Sequence, residues 1–250
     1  MVTRPVHQAA HLAEGIKMAG GEPFIFPTIS ILPTPLSTSD KKRLQDIKQF
    51  DIIVFISPNA VEFGLNHIVK LPENTRLATI GGGSAKALEK KLGRRPDISP
   101  KENFNSEGLL ATPEMQDVQN KHILIIRGQG GREHLKQTLE QRGADVEYLN
   151  VYQREKPKTN SHDYEQYLQN NELAAIVITS AESLKNLLAL TPKEVRPQLL
   201  RVPLMLINQR IVSHAKEAGF GDEIYLATQA SDDAIIKALE DHHLISPTNG

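Results

Sequence analysis

The sequence predicts an α/β protein whose mostly parallel, helix-covered sheets arise from an internal duplication. Apolar runs of about five residues alternate with helical patterns of roughly 10–15, the pattern of strands buried on both faces by crossover helices. The pattern occurs twice: Ser57 and Ser180 lie 123 positions apart (180 − 57), and the same offset relates Arg4, His11, Leu12 and Gly20 to Arg127, His134, Leu135 and Gly143. In each copy a strand ends in a small polar residue at a helix start. Asp51-Ile-Ile-Val-Phe-Ile-Ser57 runs into a helical pattern over 58–70, and Ala174-Ala-Ile-Val-Ile-Thr-Ser180 into one over 181–190. Two such units facing each other would form a cleft lined by backbone N–H groups, suited to an anionic ligand.

The first copy opens with a short strand over 1–4 and a helix start at Pro5. Residues 8–18 carry Leu12 and Ile16 at helical spacing, Ala19 continues the series, and Gly20-Gly21 stops the helix. Strands follow over 22–27, 51–57, 76–81 and 96–99. The second copy supplies strands over 122–127, 145–152, 174–180, 203–208 and 223–227. That makes five per copy. Between 76–81 and 203–208 the offset drifts to 127 (208 − 81), as loop insertions allow. The proline-studded segment 27–35 and its counterpart 151–157 read as extended connectors. Such connectors also permit a swap, in which each folded domain takes two strands from one copy and three from the other. Periodicity does not decide between the swapped and unswapped forms. Residues 246–250 are small and polar and read as a frayed end.

At 250 residues the chain suffices for two domains of about 120 residues. Its 29 Lys and Arg nearly balance 30 Asp and Glu, so no global field draws in nucleic acid or a membrane surface. The absence of cysteine excludes disulfides, thiolate metal sites and a cysteine nucleophile. No leader and no apolar run near the roughly 20 residues that span a bilayer is present, so a soluble cytoplasmic protein is expected.

Arg127-Gly128-Gln129-Gly130-Gly131-Arg132-Glu133, between a strand and a helix, is the strongest local signal. Its glycines allow close backbone approach to a ligand, and the helix start offers free N–H groups. No Gly-Lys-Ser/Thr follows, so it is not a P-loop, and the dinucleotide spacing is lacking. A tight turn that binds nothing is the competing reading. Gly81-Gly82-Gly83-Ser84 repeats the theme, with Ser84 expected to cap a helix, and Ser57-Pro58-Asn59 and Thr179-Ser180 resemble it. One carboxylate at a helix start gains only about 0.3–1 kcal/mol, so a ligand with several carboxylates is needed for useful affinity. His7 and His11 have i, i+4 spacing suited to a metal, but no third ligand accompanies them, and no metal is expected. Tyr152, followed by Arg154 at the second connector, offers a phenol able to donate a proton to a leaving hydroxyl; strand-edge packing is its plainer role.

Val2-Thr-Arg-Pro5 with Gln8-Ala9, Ser57-Pro-Asn-Ala-Val61, Ile80-Gly81, Arg127-Gly128 with Gly131-Arg-Glu133, Val151-Tyr152 and Thr179-Ser180 resemble, in order and spacing, the uroporphyrinogen-III synthase family over residues 2 to about 239. The resemblance implies two flavodoxin-like domains joined by a two-stranded connector, one formed by 1–35 with 154–250 and the other by 36–153. It implies cyclisation of hydroxymethylbilane to uroporphyrinogen III with inversion of ring D, without metal or organic cofactor. It further implies a monomer that at most transiently touches the preceding pathway enzyme. Carried over residue by residue, Tyr152 matches the proposed acid. Arg4, Ser57, Asn59, Gly81, Arg127, Gly128, Arg132, Thr179 and Ser180 match cleft-edge positions expected to hold carboxylates. Ser231 and Ser84 stand where the family usually has threonine, keeping the hydroxyl without the methyl. Two other classes share such a fold: a non-catalytic clamp for a small anion, and a flavin or nucleotide enzyme, the latter disfavoured by the missing phosphate loop and tryptophan.

Overall fold

The computed structural model describes residues 1–131, 133–158 and 162–245. Arg132 and the segment 246–250, both subjects of expectations above, lie outside the described residues. The chain divides into two compact units, Ile31–Arg154 and Met1–Ser30 with Glu155–Gly250.

Among the described residues the strands are β1 (Ser30–Pro33), β2 (Ile52–Phe55), β3 (Arg76–Thr79), β4 (His122–Gly128), β5 (Asp145–Glu155), β6 (Ile176–Ile178), β7 (Leu204–Leu206) and β8 (Ile224–Leu226). Five form one sheet in the order β1-β5-β4-β2-β3, and three form another in the order β6-β7-β8. Strand β4 pairs in parallel with both β2 and β5, and β2 with β3. Parallel pairing also joins β6, β7 and β8. Val2 makes parallel bridges to Ile25 and to Val177 of β6, so two further runs extend the second sheet. Each sheet thus draws on both halves of the chain, the smaller one through the bridges at Val2 and Ile25.

The predicted strands over 1–4, 22–27 and 96–99 are therefore corrected to single bridges at Val2, Ile25 and Ile98. Proline limits the first and third runs: Pro5 follows the one, Pro96 and Pro100 bracket the other, and each lacks the N–H that the next ladder bond needs. In the second run Pro23 and Pro27 fall on the open edge, and its pairing to Val2 rests on Val2 N–H donating to Phe24 O and Phe26 N–H donating to Val2 O. The helix expected over 58–70 ends early, as Pro58–Leu65, and its exit is drawn tight by His67 N–H donating to Gly64 O at 3.1 Å.

Strand residues alternate between two cores. Ile52, Val54, Ile123 and Ile125 pack on one face of the larger sheet, and Ile53, Phe55, Leu124 and Ile126 on the other. The smaller sheet divides its residues likewise, with Ile176, Ile178, Leu204 and Leu206 on one face and Val177 and Met205 on the other. Both faces are covered, which is why the strands read as continuous apolar runs.

Candidate functional site

In a parallel sheet all strands deliver their carboxyl ends to one rim, and each chain segment there turns into a helix whose first N–H groups lack intrahelical partners. In the unit Ile31–Arg154 this rim carries Ser57, Gly81, the turn after Gly128, and Tyr152. Ser57 is the N-cap of the helix Pro58–Leu65, its Oγ accepting from Ala60 N–H at 3.0 Å. That oxygen also lies 3.0 Å from the Tyr152 hydroxyl. The Tyr152 ring is only 3% exposed, 5.9 Å from the Phe63 ring centre, and its backbone oxygen accepts from Gln129 N–H at 2.8 Å. Asn59 is buried in the first turn of the same helix.

Gly81 is the N-cap of the helix Gly82–Leu92 and offers no side-chain cap. Ser84, expected to supply one, is corrected to a buried residue within the first turn. The helix begins at Gly82, so the Ser84 hydroxyl stands inside the turn instead of in front of it.

Arg127, expected at the rim, is buried and turned onto its own loop. Its Nε donates to Gly128 O at 3.3 Å, Nη1 to Glu133 at 3.1 Å, and Nη2 to the Gly130 carbonyl. The guanidinium lies over the Tyr148 ring, 4.3 Å from its centre. The Tyr148 hydroxyl is buried without a well-formed hydrogen bond, and that burial pushes its pKa up to about 12, with Glu133 adding to the rise and Arg127 opposing it.

In the other unit, Ser180 caps the helix Ala181–Leu190 by accepting from Ser183 N–H at 3.0 Å, with Thr179 half-buried beside it. Asn208, the last residue of the strand expected over 203–208, caps Gln209–Glu217 by accepting from Ile211 N–H at 3.1 Å. Ser231 caps Asp232–Asp241 through Ala234 N–H at 3.3 Å. Arg4 donates to Asp232 at 2.5 Å, and His11 Nδ1 lies 2.8 Å from the other oxygen of that carboxylate. His11 is thereby engaged by a carboxylate of another helix.

Just inside this rim lies a buried hydroxyl cluster that the sequence reading missed. Thr28 Oγ1 and Ser183 Oγ are 2.6 Å apart, Ser183 donates to Thr3 Oγ1 at 2.9 Å, and Thr3 donates to Val177 O at 2.8 Å. The signal was in the repeat. At an offset of 123, Thr3, Thr28 and Ser183 correspond to Ile126, Val151 and Ala60, all apolar and buried.

Each rim offers N–H groups and hydroxyls, and one of them adds a phenol. Such a set suits a ligand with many carboxylates and a reaction needing one proton donor.

Comparison with known proteins agrees with that chemistry. The family model described as "Uroporphyrinogen-III synthase HemD" matches residues 10–237. The chain is 31% identical over 245 residues to the uroporphyrinogen-III synthase of Escherichia coli strain K12, covering 96% of this chain and 99% of that one. It is 32% identical over 246 residues to that of Salmonella typhimurium, with the same coverage. The crystal structure of a mutant uroporphyrinogen III synthase from the extremely thermophilic bacterium Thermus thermophilus superposes with a TM-score of 0.61 at 16% identity, over 96% of each chain, a likeness of fold. On a family match reaching across most of its length and two near-full-length relatives, the chain belongs to the uroporphyrinogen-III synthase family.

Proposed function

We propose that this chain is a cyclising lyase that converts hydroxymethylbilane into uroporphyrinogen III, with loss of water and inversion of ring D, in haem biosynthesis. The near-full-length identity to the Escherichia coli synthase carries this reading. The net change is a redox-neutral dehydration and ring closure, so its stoichiometry calls for no electron carrier.

The chemistry assigns few tasks to the residues. The terminal hydroxyl of the bilane must leave as water, which takes one proton and creates a cationic azafulvene. We assign that proton to the Tyr152 hydroxyl, and it returns when the closing ring loses one. The substituted carbon of ring D then attacks to form a spiro intermediate, which opens and recloses with the ring inverted. Because the bilane also closes spontaneously to the type I isomer, the protein acts chiefly by orientation. The eight carboxylates of the bilane suit free helix-start N–H groups of the kind each unit offers, after Ser57 and Gly81 in one and after Ser180 and Ser231 in the other, where Arg4 adds a cation.

In the same reading the two units are copies of one flavodoxin-like design. Numbering each unit's strands by their place in the repeat, both sheets read second, first, third, fourth, fifth: Ile25, Val2, β6, β7, β8 in one and β5, β4, β2, β3, Ile98 in the other. The exchange would make 1–35 with 154–250 one domain and 36–153 the other, linked by β1 and the end of β5. We further propose a cytoplasmic monomer that meets the bilane-supplying enzyme only transiently.

The test is product identity. Incubation with freshly generated hydroxymethylbilane is expected to yield the type III isomer in excess. Accumulation of type I alone would leave a binding clamp without catalysis and end the proposal. Tyr152→Phe is expected to lower kcat by about 10²-fold, the lower range for general acids.

A further inference from the structure

Ser57 joins two features of the rim that have no evident need to meet. As N-cap it uses one lone pair to accept the Ala60 N–H at 3.0 Å. A serine oxygen carries a second lone pair and one proton, and its remaining neighbour is the Tyr152 hydroxyl, 3.0 Å away. When Ser57 donates to Tyr152, the phenol proton is left for the departing hydroxyl of the substrate. The oxygen that gives up this proton becomes negative. It then receives a hydrogen bond from a group already polarised by the N-terminus of the helix Pro58–Leu65.

The surroundings fix the ring as well as the oxygen. Gly128 lies so close under it that a methyl there would come within 2.5 Å of Cε2. The repeat adds an internal comparison. Ser180 occupies the position of Ser57 in the other unit and caps its helix in the same way, but the position matching Tyr152 is held there by Ile29. Helix capping therefore accounts for a serine at both sites. The bond to a phenol is particular to Ser57.

We propose that Ser57 is a positioning residue for the proton transfer: it aims the Tyr152 hydroxyl and steadies its oxygen as the proton leaves, and it does not hold a substrate carboxylate. This rests on the reading of Tyr152 as the acid. Five variants test it by kcat and KM for type III product and by thermal midpoint: Ser57→Ala, Ser57→Asp, Ser57→Thr, Tyr152→Phe and the double variant Ser57→Ala/Tyr152→Phe. Ser57→Ala is expected to lower kcat about tenfold with KM within about twofold, the pattern of an interaction made in the transition state. Ser57→Asp keeps an acceptor for Ala60 N–H but has no proton to donate, so it should lose kcat while holding its thermal midpoint. Ser57→Thr should recover most of the lost rate. The double variant should be no slower than Tyr152→Phe alone, because both changes remove one unit of function.

A rise in KM with kcat kept would overturn the proposal, as would losses that multiply in the double variant, since either result puts Ser57 on the substrate. Unchanged kinetics in Ser57→Ala overturn it too. Full turnover by Tyr152→Phe removes the acid reading itself and this inference with it, an outcome distinct from the others.

Discussion

Arg127 shows how a side chain's task depends on neighbours that sequence spacing does not name. It is the penultimate residue of β4, beside a glycine loop, and on spacing alone it reads as a cation waiting for a carboxylate. In the fold its donors are engaged by Gly128 O, Gly130 O and Glu133, and its flat face rests on Tyr148. It shapes the loop from inside. The glycines around it are correspondingly constrained: Gly131 has φ of 100°, and a methyl there would lie 2.7 Å from Arg127 Nη2. Gly128 matters for a different reason, because its missing side chain is the space that the Tyr152 ring fills. Gly128→Ala should displace that ring and lower kcat on the order of 10²-fold, the cost of a misplaced reacting group. Steady-state kinetics check this, and turnover at the parent rate would show that Tyr152 needs no such placement. The glycines were legible in the sequence because turn chemistry is local. The partners of Arg127, and of Arg4 at Asp232, were not, since long side chains choose among neighbours that only the tertiary fold assembles.

At the scale of elements, what the sequence made legible follows the same division. Strands β2, β4 and β7 are short apolar runs without proline, and they stand where the hydrophobic pattern put them. The runs around Val2, Ile25 and Ile98 carry the same pattern but shrink to bridges, and at Val2 and Ile98 prolines remove the next ladder donors. Helix starts were readable where a strand run ends in serine, as at Ser57 and Ser180. They were misread at Ser84, where three glycines left the start ambiguous. Asn208, expected only as the end of a strand, caps a helix as Ser57 and Ser180 do, and that role is open to measurement. Asn208→Ala removes the acceptor for Ile211 N–H and should cost about 1 kcal/mol, whereas Asn208→Gly, a tolerated cap, should cost only a few tenths. Urea denaturation of both variants separates the two effects. Equal losses would mean that the side chain caps nothing of consequence and that packing alone holds the helix Gln209–Glu217.

Across the whole molecule, each unit buries both faces of its sheet, and each places a tyrosine hydroxyl where water does not reach it. In one unit Tyr164 is buried at 0% exposure with its hydroxyl 3.1 Å from Thr191 Oγ1, and burial raises its pKa well above the usual phenol range. In the other, burial beside Glu133 carries Tyr148 to about 12 despite the Arg127 guanidinium. Unfolding returns both to an ordinary phenol value of about 10. Above that pH the unfolded chain releases protons that the folded chain still holds, so stability falls as pH rises. The contribution is complete below about pH 10 and is lost progressively as pH climbs through the folded values. Denaturant unfolding at pH 8 to 12 should therefore show a downward slope beyond pH 10. Tyr164→Phe, which has no proton to lose, should flatten that slope while lowering stability at pH 8 through the lost bond to Thr191. Tyr148→Phe should flatten it less, because Arg127 already favours the charged form there. A variant at Tyr164 that keeps the parent's full alkaline slope would show that its hydroxyl titrates as freely in the folded protein as in the unfolded chain, and that the core around it admits charge.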